Sequence, residues 1–593
     1  MKLFPKIVAV CCSSLVLTSC MEVLDKTDLG STSGALIFND STLTQMNLDF
    51  VYDQNLPTGI ATLGPGSPNS PSVTTLSDES FGESKLLEGS LLVNEVGDFG
   101  TALSATNNYG KIRVINMFLS DVNAGTLPQY TKNKLRAQAQ FFRAWRYFDL
   151  VRLYGGVPLV LTPLAAVGVE ARDKAFLPRN STTETFAAIV KDLDSTIASV
   201  PGRWNSSDWG RITKGTAAAL KGRVLLTAAS PQFNPGDAVA KWQTAYDANK
   251  QAVDLLTANG YGLHASFDQL WFQEVNNPEA VFVTGFNTAT GDQARKNNGY
   301  DNATRPSYTG TSGGSNQPSW EMVKAFPMLD GKKPGESTKY AYSDQLFYKN
   351  RDPRFNKTIA YNGVNWPLNG NTSYKLWTYF AGGKTVEPKA TNTGFYTRKA
   401  VNPTPAIGDV QFSGTDWIEI RFAEVLLNLA ESAVGINKLD EAYTQLIAIR
   451  KRAGIEAGTD GLYGLKANMT RAELFSAILD ERQIEFAFEG KRFWDLRRWK
   501  LIEKTLNGTR RTGVTINLKT TGVPADFATT RDNINLDLAY TNYFTLEFKP
   551  LDTKYAINWK PEYYFFAIPQ SAIDNNPKLI QNTTWGGAFD PLK

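Results

Sequence analysis

Three acids in a row set the strongest constraint on this chain. Glu481, Glu485 and Glu489 fall at successive i,i+4 positions within Ile478–Trp499, ILDERQIEFAFEGKRFWDLRRW. On one helix they share a face and repel one another. A helix keeps such a row only where cations come to it, and Arg482, Arg492, Arg497 and Arg498 stand close in sequence. Thr470 with Glu473 has the spacing of a capping box, and Gly490 is predicted to end the helix in a left-handed turn. Leu474, Ile478 and Phe488 supply an apolar stripe. Phe493, Trp494, Leu496 and Trp499 then load a second short helix with apolar surface. Paired acids also serve general acid/base chemistry, so a catalytic reading stands beside a structural ion network. Nothing nearby has the character of a nucleophile or metal ligand, which favours the network.

The chain has 593 residues, 20% charged and 12% aromatic, which suits a folded protein with a large core. Its 13 Trp and 23 Tyr exceed what a core needs and leave rings for a surface. The net charge is +4; without Lys2 and Lys6 it becomes +2, from 60 basic against 58 acidic residues. So even a balance argues against nucleic acid as the main partner. The single histidine, His264, rules out His-rich zinc sites and leaves little room for a Ser-His-Asp triad. With no phosphate-binding glycine loop, metal cluster or redox pair, no cofactor is expected.

Residues 1–19 read as an export leader: Lys2 and Lys6 are basic, and Ile7–Leu17 is apolar but too short to span a bilayer. The leader ends in Leu17-Thr18-Ser19-Cys20, which is similar to a bacterial lipobox. Cys11 and Cys12 lie within it, so Cys20 is the one cysteine of the mature chain, and lipidation accounts for an otherwise unpaired thiol. Residues 20–40 read as a lipidated tether, and 41–593 as a single domain: a helical part over about 41–260, then an irregular lobe and a second helical part over about 261–593.

Helices are predicted from Thr42 to Tyr52, around Ala137–Val151, from Ser181, over Thr213–Ser230 and over Lys241–Leu256. Residues 56–110 read as long loops. Between about 265 and 410 helical periodicity fades, with a strand at Val281–Val283 and a short helix over Pro318–Phe326. It returns over Trp417–Ala433 and Leu439–Ala453. The helices thus form hairpins in two blocks, of a size similar to tetratricopeptide repeats. The fold class expected is mainly α: a tetratricopeptide-like hairpin scaffold with a large irregular lobe containing short strands.

Four stretches in combination resemble the SusD/RagB family. They are the signature Glu481-Arg482, Glu485, Phe488-Glu489-Gly490, Arg492, Asp495-Leu496, Arg498-Trp499; the helix RAQAQFFRAWRYFDLVRLYGGVPLV; Arg351-Asp352-Pro353-Arg354-Phe355 before Thr358-Ile359; and the ending Ile568-Pro569, Asn576-Pro577, Gln581-Asn582. There Thr583-Thr584-Trp585 replaces the usual closing Pro-Gly-aromatic. The resemblance implies a non-enzymatic surface lipoprotein of Bacteroidetes-type bacteria. Its partners would be an outer-membrane lipid layer, through Cys20, and a SusC-like, TonB-dependent transporter to which a captured glycan or peptide is passed.

In that family, ligand contacts come from the loop before the first long helix and from the irregular lobe. The matching regions are Thr75–Tyr109 and Phe286–Trp320. The candidates are Phe81, Phe99 and Tyr109, then Tyr300, Tyr308 and Trp320, with Asp78, Asp98 and Arg305 for polar contacts. Trp320 opens a helix and serves equally well as a packing residue. Phe99 stands near the tryptophans of starch-binding relatives and is a smaller platform. Aromatic faces suit both sugar rings and apolar peptide side chains. Two rivals remain: a surface glycosidase using acids near Glu485 or Asp495, and a protein–protein scaffold with no small ligand.

Overall fold

The computed structural model describes residues 34–63, 71–95, 99, 107–165, 168–287 and 297–593. The leader, Cys20, most of the tether and Asp98 lie outside them. In chain order the principal elements are helices α1 (Ser41–Asn55), α2 (Asn108–Ala124), α3 (Gln129–Tyr154), α4 (Thr182–Ser199), α5 (Lys214–Ala229) and α6 (Val239–Ala258), then strand β1 (Ala280–Thr284). The lobe adds β2 (Phe380–Ala381) and β3 (Lys384–Thr385). Strand β4 (Trp417–Arg421) leads into α7 (Phe422–Gly435), α8 (Leu439–Ala453), α9 (Arg471–Glu485) and α10 (Arg492–Arg498); β5 (Thr512–Leu518) and β6 (Phe544–Pro550) follow.

Local sequence sets the helix starts. Ser181 with Glu184 and Thr470 with Glu473 form complete capping boxes, and Thr213 with Thr216 makes a hydroxyl version of the same exchange. Gly155 caps α3 at φ 75°, where the site of a Cβ would lie 2.8 Å from Pro591. Helices α2 to α6 pack in sequence order, and α7 joins the two helical blocks by packing on α6 and α8. Small residues permit the closest approach: at Gly222 a Cβ would stand 2.1 Å from Asn249 Oδ1 on α6.

One hydrophobic core runs through both helical blocks, from Phe38 to Leu579. A second fills the lobe and is built from residues 320–401 together with Ile484, Phe488 and the 514–544 region. The lobe therefore takes strands β5 and β6 from beyond the second helical block, in a sheet of order β3-β2-β5-β6. At each of these fully buried apolar side chains, burial contributes roughly 1.5–3 kcal/mol.

Two expectations are corrected. Trp417–Arg421 is not the start of a helix. It is a strand, antiparallel to β1, with Trp417, Ile418, Ile420 and Arg421 of both faces buried and Glu419 half-buried. Helix α9 ends at Glu485 rather than at Gly490: Phe488 sits at φ 60° and Gly490 at φ 72°, so the chain turns four residues early. Glu489 therefore lies beyond the helix. No helix among the described residues is long and apolar enough to cross a membrane.

Candidate ligand-binding site

The acid row is neutralised by cations distant in sequence, not by its neighbours. Arg354, from the Arg351–Phe355 motif, donates through Nη1 to Glu481 at 2.7 Å and to Glu485 at 2.9 Å. Arg450 donates to Glu481 at 2.7 Å. Arg421 holds Glu489 with two nitrogens, at 2.9 and 2.8 Å, and Lys399 stands 2.5 Å from Glu489. Arg452 completes the set by pairing with Glu485 and Glu279. Burial alone would raise these carboxyls, but the surrounding guanidiniums hold Glu481 and Glu485 below the usual carboxylate range. The nearby arginines serve elsewhere: Arg482 and Arg498 share Asp495, and Arg492 pairs with Asp78. Arg497 points into the core, where it donates to the carbonyl of Tyr564 at 2.7 Å.

Beside this network lies a cleft of about 1050 Å³. Its walls come from residues 53–63, α3, α5, β4, α7 and α10. It also draws Asn108 from the first candidate region, 75–109, and Phe286, Tyr300, Ser315 and Asn316 from the second, 286–320. Helical spacing aims the polar groups inward: Asp149 and Arg152 at i,i+3 on α3, Glu424 and Asn428 at i,i+4 on α7, and Trp494 and Arg498 at i,i+4 on α10. The wall ions are paired with one another. Arg223 donates to Glu424 at 2.7 and 2.8 Å and to Glu419 at 2.9 Å, and Lys491 reaches Glu419 at 2.7 Å. Burial would raise Glu424, but Arg223 and Lys491 override it and hold the group at about 2. Half-buried Trp494 presents its ring to the Arg152 guanidinium at 3.6 Å, and Arg152 in turn bonds Asp149.

Of the described candidates, Tyr300 lines this cleft. Its ring packs 5.3 Å from that of Trp417, and its hydroxyl donates to the Lys399 carbonyl at 3.2 Å. Phe99 is buried edge-on against Tyr109 and Tyr154, and the Tyr109 hydroxyl donates to the Pro158 carbonyl at 2.9 Å. Trp320 is buried, stacked on Phe395 at 6.1 Å and packed on Phe548 at 5.0 Å. Tyr308 donates to Glu387 at 3.2 Å, and Phe81 lies 5.4 Å from the Arg511 guanidinium.

The polar candidates among the described residues have partners within the protein. Asp78 is buried and accepts two bonds from Arg492, at 2.9 and 2.8 Å, and one from Gln483 at 3.1 Å. Arg305 has no exposed surface; it donates to Asp301 at 2.9 and 2.5 Å and to the Asn402 carbonyl at 2.7 Å. Asp78 thereby ties its loop to α9 and α10, and Arg305 ties its segment to the Asn402 loop. Trp494 and Arg152, which line the cleft, are not among the sequence candidates because both sit in helices read as packing elements. Trp494 did carry a signal, as an aromatic between Lys491, Arg492 and Asp495 on a short helix.

No cluster of His, Cys, Asp or Glu among the described residues has the makings of a metal site. His264 bonds Ser266 and Gln273 through its two ring nitrogens. Burial raises Glu79 to about 8 and Glu387 and Asp416 to about 7, and none of these three lines the cleft.

Comparison with known proteins agrees with this architecture. A family model described as the SusD family matches residues 278–585, and one described as starch-binding associating with outer membrane matches residues 92–226. The SusD-like protein P2 of Formosa agariphila is 25% identical over 460 residues, covering 72% of this chain and 82% of its own. A SusD-like protein from Bacteroides fragilis NCTC 9343 superposes with a TM-score of 0.70 at 22% identity, over 92% of this chain and 97% of its own. A SusD-like carbohydrate binding protein of the same strain gives 0.68 at 24% identity, over 91% and 99%. A structure described with xylogluco-oligosaccharide gives 0.59 at 16% identity, over 92% and 96%. The hairpin scaffold, its irregular lobe and a family match across more than half its length place this chain in the SusD family.

Proposed function

We propose that this protein is a lipid-anchored, outer-membrane surface lipoprotein that holds an oligosaccharide in the cleft beside Trp494 and passes it to a SusC-like, TonB-dependent transporter. The observation that carries the reading is the cleft itself. Its volume suits a ligand of several sugar rings, and its walls combine an aromatic face with fixed donors and acceptors. The carbohydrate-binding neighbour and the structure with xylogluco-oligosaccharide support a glycan over a peptide. Anchoring rests on the lipobox and Cys20.

A glycosidase is disfavoured on electrostatic grounds. Its general acid needs a raised pKa and a partner carboxyl across the bond to be cut. Glu485 and Asp495 are instead ionised, buried and fully engaged by arginines. The lipid-free domain beginning at Glu22 is screened on glycan arrays and peptide libraries, with product analysis for cleavage. Saturable glycan binding without cleavage is expected. Binding to no glycan, with transporter association intact, would favour the scaffold reading, and cleavage lost in Glu485→Gln would favour the enzyme. In cells, labelled palmitate is expected on the native protein, and a Cys20→Ala form is expected to leave the membrane fraction.

A further inference from the structure

The charges of the cleft wall point to the class of glycan it takes. Resting on the reading above, we infer that the cleft selects neutral oligosaccharides and discriminates against uronate- or sulfate-bearing ones of equal length.

The argument starts from pairing. Arg223 is spent on Glu424 and Glu419 within 2.9 Å, and Lys491 on Glu419 at 2.7 Å, with Glu424 at 3.8 Å. Farther along the wall, Arg482 and Arg498 bracket Asp495 at 2.8 and 2.9 Å, and Arg498 takes Glu431 as well. Arg152 and Arg146 both reach Asp149, at 2.5 and 3.2 Å. Among the described residues of its wall, seven Lys or Arg face six Asp or Glu. At these paired cations an anionic ligand would have to displace a carboxylate already in place, or sit beside one. Like-charge juxtaposition in a partly desolvated site is costly and is the usual means of rejecting a charged competitor. Neutral hydroxyls face no such penalty. Carboxylates and carbonyls accept from them, and Asn108, Asn316 and Asn428 stand in the wall as amide partners. Trp494 offers an apolar ring whose attraction does not depend on ligand charge.

Glu419 is the residue whose replacement tests this most sharply. It serves two cations, yet each has a second acceptor. Arg223 keeps both oxygens of Glu424, and Lys491 keeps the Glu419 carbonyl at 2.7 Å. Glu419→Gln therefore removes one negative charge from the wall while leaving its hydrogen bonds in place.

The experiment is a calorimetric titration of the lipid-free domain with two matched arms. One is neutral gluco-, manno- and xyloglucan-derived oligosaccharides; the other is oligogalacturonates and sulfated oligosaccharides of the same length. Neutral binding with little change between low and high salt, at least about tenfold tighter than any acidic counterpart, is expected. Glu419→Gln is expected to tighten acidic binding by about threefold or more at low salt. Acidic ligands binding as tightly as neutral ones, or binding that weakens steeply with salt, would overturn the inference while leaving the glycan-capture reading intact. No binding in either arm would overturn that reading, and the inference with it.

Discussion

Arg421 grips Glu489 at two points, Nε to Oε2 at 2.9 Å and Nη2 to Oε1 at 2.8 Å, with both side chains buried. The pair joins the end of β4 to the turn that follows α9, across 68 residues of sequence. Arg421 also pairs with Glu485 and Glu279, so one guanidinium pins three acids. Losing it would leave those acids buried and mutually repelling. Arg421→Ala is expected to cost about 3–5 kcal/mol, read from the urea midpoint. Arg421→Lys should recover only part, because a lysine cannot reproduce the two-point geometry.

The acids of the cleft and its supporting network set one pH dependence, and the buried Glu79 sets the opposite one. Glu424 is held at about 2, with Glu481 and Asp495 also lowered. Their contribution is present above the ordinary carboxylate pKa of about 4 and is lost as pH falls toward their folded values. Glu79 runs the other way. Buried and raised to about 8, it favours folding below pH ~4 and loses that advantage as pH climbs to about 8. Its carboxyl accepts from the Phe488 N–H at 3.1 Å, a bond that glutamine can keep. Glu79→Gln is thus expected to be more stable than the native protein at pH 8, by on the order of 1–3 kcal/mol. The gain should vanish near pH 4, as measured by unfolding at the two pH values.

How much of this was written in the sequence divides by range. The capping boxes at Ser181 and Thr470 and the break near Gly490 are local patterns, and the structure carries them. The acid row at Glu481, Glu485 and Glu489 demanded cations, yet which ones came was invisible. Arg354, Arg421 and Lys399 arrive from 68 to 131 residues away, a matter of topology and not of spacing. Trp417–Arg421 was misread because an apolar run ahead of a real helix extends its period until a partner strand claims it. Asp78 and Arg305 shared the types and loop setting of ligand contacts. Their partners, Arg492 on α10 and Asp301 four residues before Arg305, come from the fold and not from the loop composition.

Arg305 accordingly makes a test of stability and not of specificity. With no exposed surface and four acceptors, on Asp301, Thr309, Asn369 and Asn402, its loss strands Asp301 in the interior. Arg305→Ala is expected to lower stability by about 3 kcal/mol or more. Thermal unfolding of the variant, beside glycan affinity measured where it remains folded, checks this. Unchanged stability with weakened binding would return Arg305 to the ligand site.

The claim that the ligand sits against Trp494 is tested most directly by one titration. A neutral oligosaccharide found in the array screen is measured calorimetrically against the native domain and against Trp494→Ala, with circular dichroism to establish that both are folded. Trp494 is half-buried, and its ring covers Arg152 without closing the core. The variant is expected to keep its fold and to bind at least about tenfold more weakly. An affinity equal to that of the native protein would contradict the placement of the ligand in this cleft.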